Sequence, residues 1–275
     1  MPTLFRDYET RSTRNLKRVG SWKYAVDPTT DVWCCAYAVD DGEIQLWLPG
    51  DAVPAEFVEA ANNPDWVTSA FNDAFERHIE QHIMGPRYGW PIIPLERHRC
   101  TQAAGLALAL PASLQGVASA LTIEHQKDEA GRRVMLQMSR PRKRRKGEAP
   151  GTYWFDDPER RERLYAYCKQ DVEVERAVHR LIGHLPDNEQ PTWQLDAVIN
   201  DRGLMIDAPI TAGAIKISGA AQKAIDAELA MVTGGNVTAV GQTAKLLAWL
   251  AANGVDLNNI QKETIRRALT RALAS

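Results

Sequence analysis

Six side chains, in three places, have the types and spacings that metal-dependent hydrolysis needs. Asp7 and Glu9 stand two apart in Thr3–Glu9, a segment that alternates apolar and polar residues. On a strand, both carboxylates then leave one face. Two adjacent acids repel unless a cation bridges them, and oxygen ligands suit Mg²⁺ or Mn²⁺. Asn72 and Glu76 are four apart, as are Tyr167 and Asp171; on a helix each pair shares a face. Taken singly, the plainer readings win: a solvated strand end, an N-cap followed by a surface acid, and an aspartate paired with Lys169 or Arg176. Asp171 is the least ordinary, because Leu164, Cys168, Val172 and Val174 surround it with apolar character. A buried carboxylate without a partner is costly.

The elements that must carry these residues follow from the local pattern. Asp31–Val39 is apolar and aromatic-rich, Asp40-Asp41-Gly42 signals a tight turn, and Glu43–Leu48 alternates again. With Thr3–Glu9 these predict a three-strand antiparallel meander. Trp66–Ala70 reads as a buried strand, with Asn72 placed to cap a helix over about 73–83. A short strand near Arg97–Thr101, helices over Gln102–Leu110 and from Ser113, and a long helix from about Pro158 to Leu185 follow. Strands followed by strand–helix alternation predict a mixed α/β sheet. After Pro186-Asp187-Asn188 the composition turns Ala/Leu/Ile-rich, with helices near Thr192–Asp201, Ile210–Val232, Gln242–Asn253 and Lys262–Leu273. Two domains are therefore expected, 1–187 and a helical 188–275.

Together, in this order, DxE, NxxxE after a buried strand and YxxxD on a late helix resemble the three motifs of the DEDD exonucleases, and Tyr167 points to the DEDDy branch. NLKRVGSWKYAVDP (Asn15–Pro28), AFNDAFERHI (Ala70–Ile79) and LPASLQGVASAL (Leu110–Leu121) resemble the proofreading domain of phage-type family A DNA polymerases. DAVINDRGLMID (Asp196–Asp207) and VTAVGQTAKLLAWLAANGVDL are similar to the start of the thumb of such polymerases. The resemblance covers roughly Leu4–Leu185 and continues into this tail. It implies a ribonuclease H-like mixed sheet flanked by helices, then a helical tail. The palm and fingers have no counterpart before Ser275, so the expected chain is a fragment that does not polymerise DNA.

The resemblance also implies a two-metal 3′→5′ exonuclease (Mg²⁺ or Mn²⁺) that releases nucleoside 5′-monophosphates from a single-stranded DNA 3′ end. Asp7 would bridge both ions, with Glu9 and Asp171 completing one site. Glu76, where most relatives carry Asp, would hold the second ion through water. Tyr167 would orient the attacking water. Tyr8, Thr10 and Asn72 would contact the substrate, and the missing polymerase domain would be the protein partner. Two other readings share some of these features: a ribonuclease D-like enzyme acting on RNA, and a non-catalytic DNA-binding module.

Composition limits the rest. Hydrophobic residues make up 44% of the 275, and the net charge is −2. This is an ordinary globular balance with no global pull toward nucleic acid. Cys34, Cys35, Cys100 and Cys168 form no CxxC or Cys/His zinc pattern, which suggests a reducing compartment. The charged N-terminus and the lack of a long apolar run predict a cytoplasmic protein with no membrane contact. His78 and His82 are expected to be a surface pair. The run Arg140–Lys146 is basic at every residue but Pro141; such runs are more often solvated loops than phosphate contacts.

Overall fold

The computed structural model describes residues 1–124 and 128–274. They form two compact units, Met1–Gly203 and Leu204–Ser275; Ser275 itself lies outside the described residues.

The first unit runs β1 (Thr3–Arg11), α1 (Leu16–Ala25), β2 (Asp31–Val39), β3 (Gln45–Trp47), α2 (Ala55–Asn62), β4 (Val67–Ala70), α3 (Asp73–Ile79), a π-helical turn (Glu80–Met84) and α4 (Gly85–Tyr88). It continues with β5 (His98–Cys100), α5 (Thr101–Ala107), α6 (Leu114–Ala120), α7 (Glu129–Met138), α8 (Pro158–Ile182) and α9 (Gln190–Arg202). The second unit holds α10 (Ala208–Val232), α11 (Thr243–Ala252) and α12 (Lys262–Ala274). No helix among the described residues is long and apolar enough to cross a membrane.

The sheet order is β3-β2-β1-β4-β5. β1–β2 and β2–β3 pair antiparallel, whereas β4 lies parallel to β1 and β5 parallel to β4. This is the mixed sheet flanked by helices, followed by a helical tail, that the sequence predicts. β1 is central and its two faces read differently. Leu4 and Tyr8 join a large core with Phe57, Ile79, Ile83 and Trp90. Phe5 joins Cys34, Ala36, Ala38, Cys168 and Val172. The small residues of β2 on the second face let α8 lie close, so a helix far along the chain reaches the acids of β1.

The ends of α8 have local causes. Asp157 accepts a hydrogen bond from Arg160 N (3.1 Å) with Pro158 at the first helical position, a favourable start. Gly183, at φ 68°, stops the helix three residues before Pro186. Asn72 does stand at the N-cap of α3, but its side chain makes no capping hydrogen bond.

Helices α1, α2, α4 and α7 are not visible in the pattern. α1 is broken internally at Gly20, φ 78°, so it lacks a sustained apolar stripe. α9 lies beyond the expected boundary at residue 187 and packs with the first unit. Gln190 donates to the His98 carbonyl (2.9 Å), while Arg77 and His78 both engage Asp201. These bonds place α9 in the first unit, whose compact limit is Gly203. They also bury His78, which was expected at the surface.

Candidate active site

β1 presents Asp7 opposite Ala36 and Glu9 opposite Cys34, and its pairing register shifts between Glu9 and Thr10. A bulge there re-aims the strand end, and the chain then turns toward Arg14–Lys17. On the same face, α8 brings Cys168 against Asp7: the thiol lies 3.3 Å from Asp7 Oδ2 and 3.4 Å from its carbonyl oxygen. The flanking helical positions carry Tyr167 and, one turn on, Asp171. One carboxylate oxygen from each of Asp7, Glu9 and Asp171 lies within 4.8 Å of the others. These three, with Thr10, Glu76 and Tyr167, line one cleft of about 320 Å³.

Glu76 approaches from the other side of the sheet, on α3. It is buried, and its Oε2 has no hydrogen-bond partner. Asp73, its neighbour on the same helix, is committed elsewhere. Arg6 Nη2 and His98 Nδ1 each lie 2.9 Å from Asp73 Oδ1. Burial alone would raise the Asp73 pKa, but the charges of His98 and Arg6 hold it down at about 2. Arg6 also donates to Glu80 (2.5 Å), which accepts from the Tyr8 hydroxyl (3.1 Å). This buried network fixes α3 against β1 and leaves Glu76 as the acid aimed at the cleft.

The electrostatics are those of acids buried close together. Burial raises the pKa of Asp7 to about 6, with the Cys168 thiol opposing. Burial and then the Asp7 charge raise Asp171 to about 8. Glu9 and Glu76 are also pushed well up, first by burial and then by Asp7. The Tyr167 hydroxyl is raised by burial and by Asp171 beside it. An all-oxygen donor set, mutual repulsion and one orphaned carboxylate oxygen fit hard divalent cations such as Mg²⁺ or Mn²⁺.

The expected substrate contacts are less uniform. Thr10 lines the cleft, but its hydroxyl pairs with the Tyr24 hydroxyl at 2.9 Å. Tyr8 also lines the cleft, with its side chain 3% exposed and packed near Trp90. Asn72 is exposed at the head of α3 and does not line the cleft. Sequence reasoning missed the rim, made by Arg14, Leu16 and Lys17 before and within α1 and by Met135, Leu136 and Arg140 at the end of α7. The signal available for α7 was Asp128-x-x-Gly131, a capping pattern in which Asp128 Oδ1 accepts from Gly131 N at 2.8 Å.

The first unit is thus a mixed α/β sheet with a cleft of converging carboxylates beside a basic rim. Over 276 aligned positions the chain is 33% identical to the DNA polymerase of Bacillus phage SP02; the match takes in 98% of this chain and 41% of that protein. The chain thus spans well under half the length of that relative. No protein-family model matches the chain. A solved structure described as the apo form of a nuclease aligns with 75% of this chain and 89% of its own, at 12% identity and a TM-score of 0.34, a likeness too slight to weigh.

Proposed function

We propose that this chain is the 3′→5′ exonuclease part of a DNA polymerase, hydrolysing single-stranded DNA 3′ ends to nucleoside 5′-monophosphates. The observation that carries the reading is the convergence of Asp7, Glu9 and Asp171, with Glu76 Oε2 left without a hydrogen-bond partner in the same cleft. The relationship to a phage DNA polymerase supplies the setting. On this reading residues 1–187 are the nuclease domain, 188–275 begin a polymerase thumb, and the rest of the polymerase is the protein partner.

Asp7, Glu9 and Asp171 would hold one Mg²⁺ or Mn²⁺ ion, and Asp7 with Glu76 a second. Bound there, the ions would lower the pKa of water and stabilise the charge developing on the leaving 3′ oxygen. The protein's own part is placement. Asp7 lies between the two acid groups and keeps its carboxylate fixed against Cys168. The Tyr167 hydroxyl, whose pKa is raised and which hydrogen-bonds Asp171, keeps its proton and would turn it to the attacking water once Asp171 engages an ion. Leu16, Phe75 and Leu136 give the cleft an apolar wall against which a terminal base can rest.

Product analysis tests the proposal. A 5′-labelled DNA strand with Mn²⁺ should shorten one nucleotide at a time from its 3′ end, with 5′-monophosphates released and RNA degraded more slowly. Internal cuts, or faster loss of RNA, would sink this reading; the second outcome would favour the ribonuclease alternative.

Gly131 gives a finer test. A Cβ there would stand 2.7 Å from Tyr167 Cδ2 and 2.2 Å from the Asp128 carboxylate. Gly131→Ala therefore displaces the Tyr167 ring. A shift of about 1 Å in a positioning group costs on the order of 10²-fold, so kcat should fall about 10- to 100-fold with Mn²⁺ affinity unchanged. Steady-state kinetics with a metal titration would show it, and an unchanged kcat would remove Tyr167 from the mechanism.

A further inference from the structure

The basic segment after α7 forms a defined hairpin rooted at the cleft. Arg142 and Tyr153 pair as a backbone bridge, with Arg142 N donating to the Tyr153 carbonyl at 2.8 Å. The Arg142 guanidinium lies 4.9 Å from the Tyr153 ring centre and donates to both oxygens of Glu148, at 2.8 and 2.5 Å. Glu148 also accepts from Arg145 N at 2.6 Å, which closes the turn before Gly147. The root is tied to the strand of the acids: Ser12 N donates to the Ser139 carbonyl at 3.1 Å. Arg142 Nε reaches the Trp154 carbonyl, and Trp154 packs with Trp33, Met138 and Leu164.

This architecture leaves one kind of group over. Arg140, Lys143, Arg144, Arg145 and Lys146 are all exposed. Their side chains form no ion pair among the described residues, whereas Arg160, Arg161, Arg163 and Arg176 on α8 each have an acid. Glu148, the acid inside the hairpin, is already held by Arg142. The chain as a whole is slightly acidic, at −2, so this is a local concentration of unmatched positive charge. Like charges held side by side repel unless a polyanion lies across them. Arg140 belongs both to this run and to the rim of the cleft containing Asp7, Glu9 and Asp171.

From these observations we infer that the hairpin is a phosphate track for the substrate strand, gripping it several nucleotides 5′ of the bond that is cut. The inference rests on the exonuclease reading for its direction, because it supposes a 3′ end seated at the acids. The stretch from Arg140 to Arg145 spans roughly 15–20 Å if extended, and a DNA strand rises about 3.4 Å per nucleotide. Contacts of this kind read charge and spacing, so they serve any base sequence, as a 3′→5′ exonuclease requires. They also suit Lys and Arg equally, unlike bidentate base contacts.

The test measures binding of a 20-nucleotide single strand across a salt series by the full chain carrying Asp7→Asn, with Mn²⁺ present. Adding Lys143→Ala, Arg144→Ala, Arg145→Ala and Lys146→Ala should weaken binding at least tenfold at low salt. It should also make the slope of log affinity against log salt shallower by about 2–3, since each phosphate contact to a single strand contributes about 0.7. Arg144→Lys with Arg145→Lys should retain the original slope. Because all four side chains are exposed, the thermal midpoint should stay where it was, which separates lost contact from lost fold. An unchanged affinity and slope in the alanine variant would overturn the inference and make the hairpin a solvated surface. Product analysis on the wild-type chain decides the exonuclease reading separately. If that chain hydrolyses nothing while the alanine variant still loses affinity and slope, the track stands as a DNA-binding surface and only the exonuclease reading falls.

Discussion

Asp7→Ala should lower Mn²⁺-dependent release of nucleotides from single-stranded DNA by about 10³-fold or more, the largest effect expected of any single change. Asp7 stands within reach of Glu9 and Asp171 and is the carboxylate whose charge also acts on Glu76. Losing it removes a ligand common to both proposed ions. Metal ions contribute several kcal/mol to transition-state stabilisation, and about 1.4 kcal/mol is tenfold in rate. The variant should nevertheless fold, because the carboxylate is an unfavourable charge in the metal-free protein. Its pKa is raised to about 6 by burial, and Cys168 keeps the residue 7 carbonyl as a partner at 3.4 Å. A metal-free thermal midpoint equal to or above that of wild type, with hydrolysis lost, is the expected pair of results. Hydrolysis at the wild-type rate would remove these acids from the chemistry altogether.

The second large effect is on stability. Asp7 and Asp171, with pKa values raised to about 6 and about 8, and Glu175, raised to about 7 by burial despite bonds from Thr101 and Ser69, all hold protons in the fold that they release when unfolded. A group whose pKa is raised in the folded state contributes stability below its unfolded pKa, near 4, and loses that contribution as pH rises through the folded value. The metal-free protein should therefore become less stable from about pH 5 to pH 8. The slope is about 1.4 kcal/mol per pH unit for each group still protonated in the fold alone. Asp73 has the opposite sign: held at about 2 by His98 and Arg6, it supports the fold above pH 4 and fails only in acid. Divalent ions require ionised ligands, so Mn²⁺ should stabilise most where the metal-free protein is weakest. At about 100 times its Kd, Mn²⁺ would contribute about 2.7 kcal/mol, or roughly 5–10 °C in midpoint for a unit of this size. Thermal melts with EDTA or Mn²⁺ at pH 5, 6.5 and 8 would measure both trends. A metal-free midpoint that rises toward pH 8, or a Mn²⁺ shift that shrinks there, would contradict the assignment of these acids.

Much of the site's raw material was legible in the sequence because it depends on local periodicity. Alternation over Thr3–Glu9 puts Asp7 and Glu9 on one side of a strand whatever the fold around it. The four-residue step from Tyr167 to Asp171 puts both on one face of a helix whose start, at Asp157-Pro158, is likewise written locally. The order of strand types also constrains the sheet, since a meander followed by strand–helix units has few ways to close.

Which acids meet, and which side chains are left free, was decided only by packing. Nothing in the local pattern says that Ala36 and Cys34 leave room for α8, or that Cys168 fills the gap beside Asp7. Asp73 and Glu76 lie a turn apart on one short helix. The buried Arg6–Glu80–His98 network separates them physically by engaging Asp73 and leaving Glu76 Oε2 unpaired. The same network draws the Tyr8 hydroxyl to Glu80. Helices α1, α2, α4 and α7 escaped notice because each is short and draws its stability from the unit it packs against. The placement of α9 rests on His98 and Arg77, residues from distant strands and helices. The sequence by itself determined the strand that carries Asp7 and Glu9 and the helix face that carries Tyr167 and Asp171. Only the tertiary structure made one cleft of them, because the distance between two acids is set by what packs beneath them.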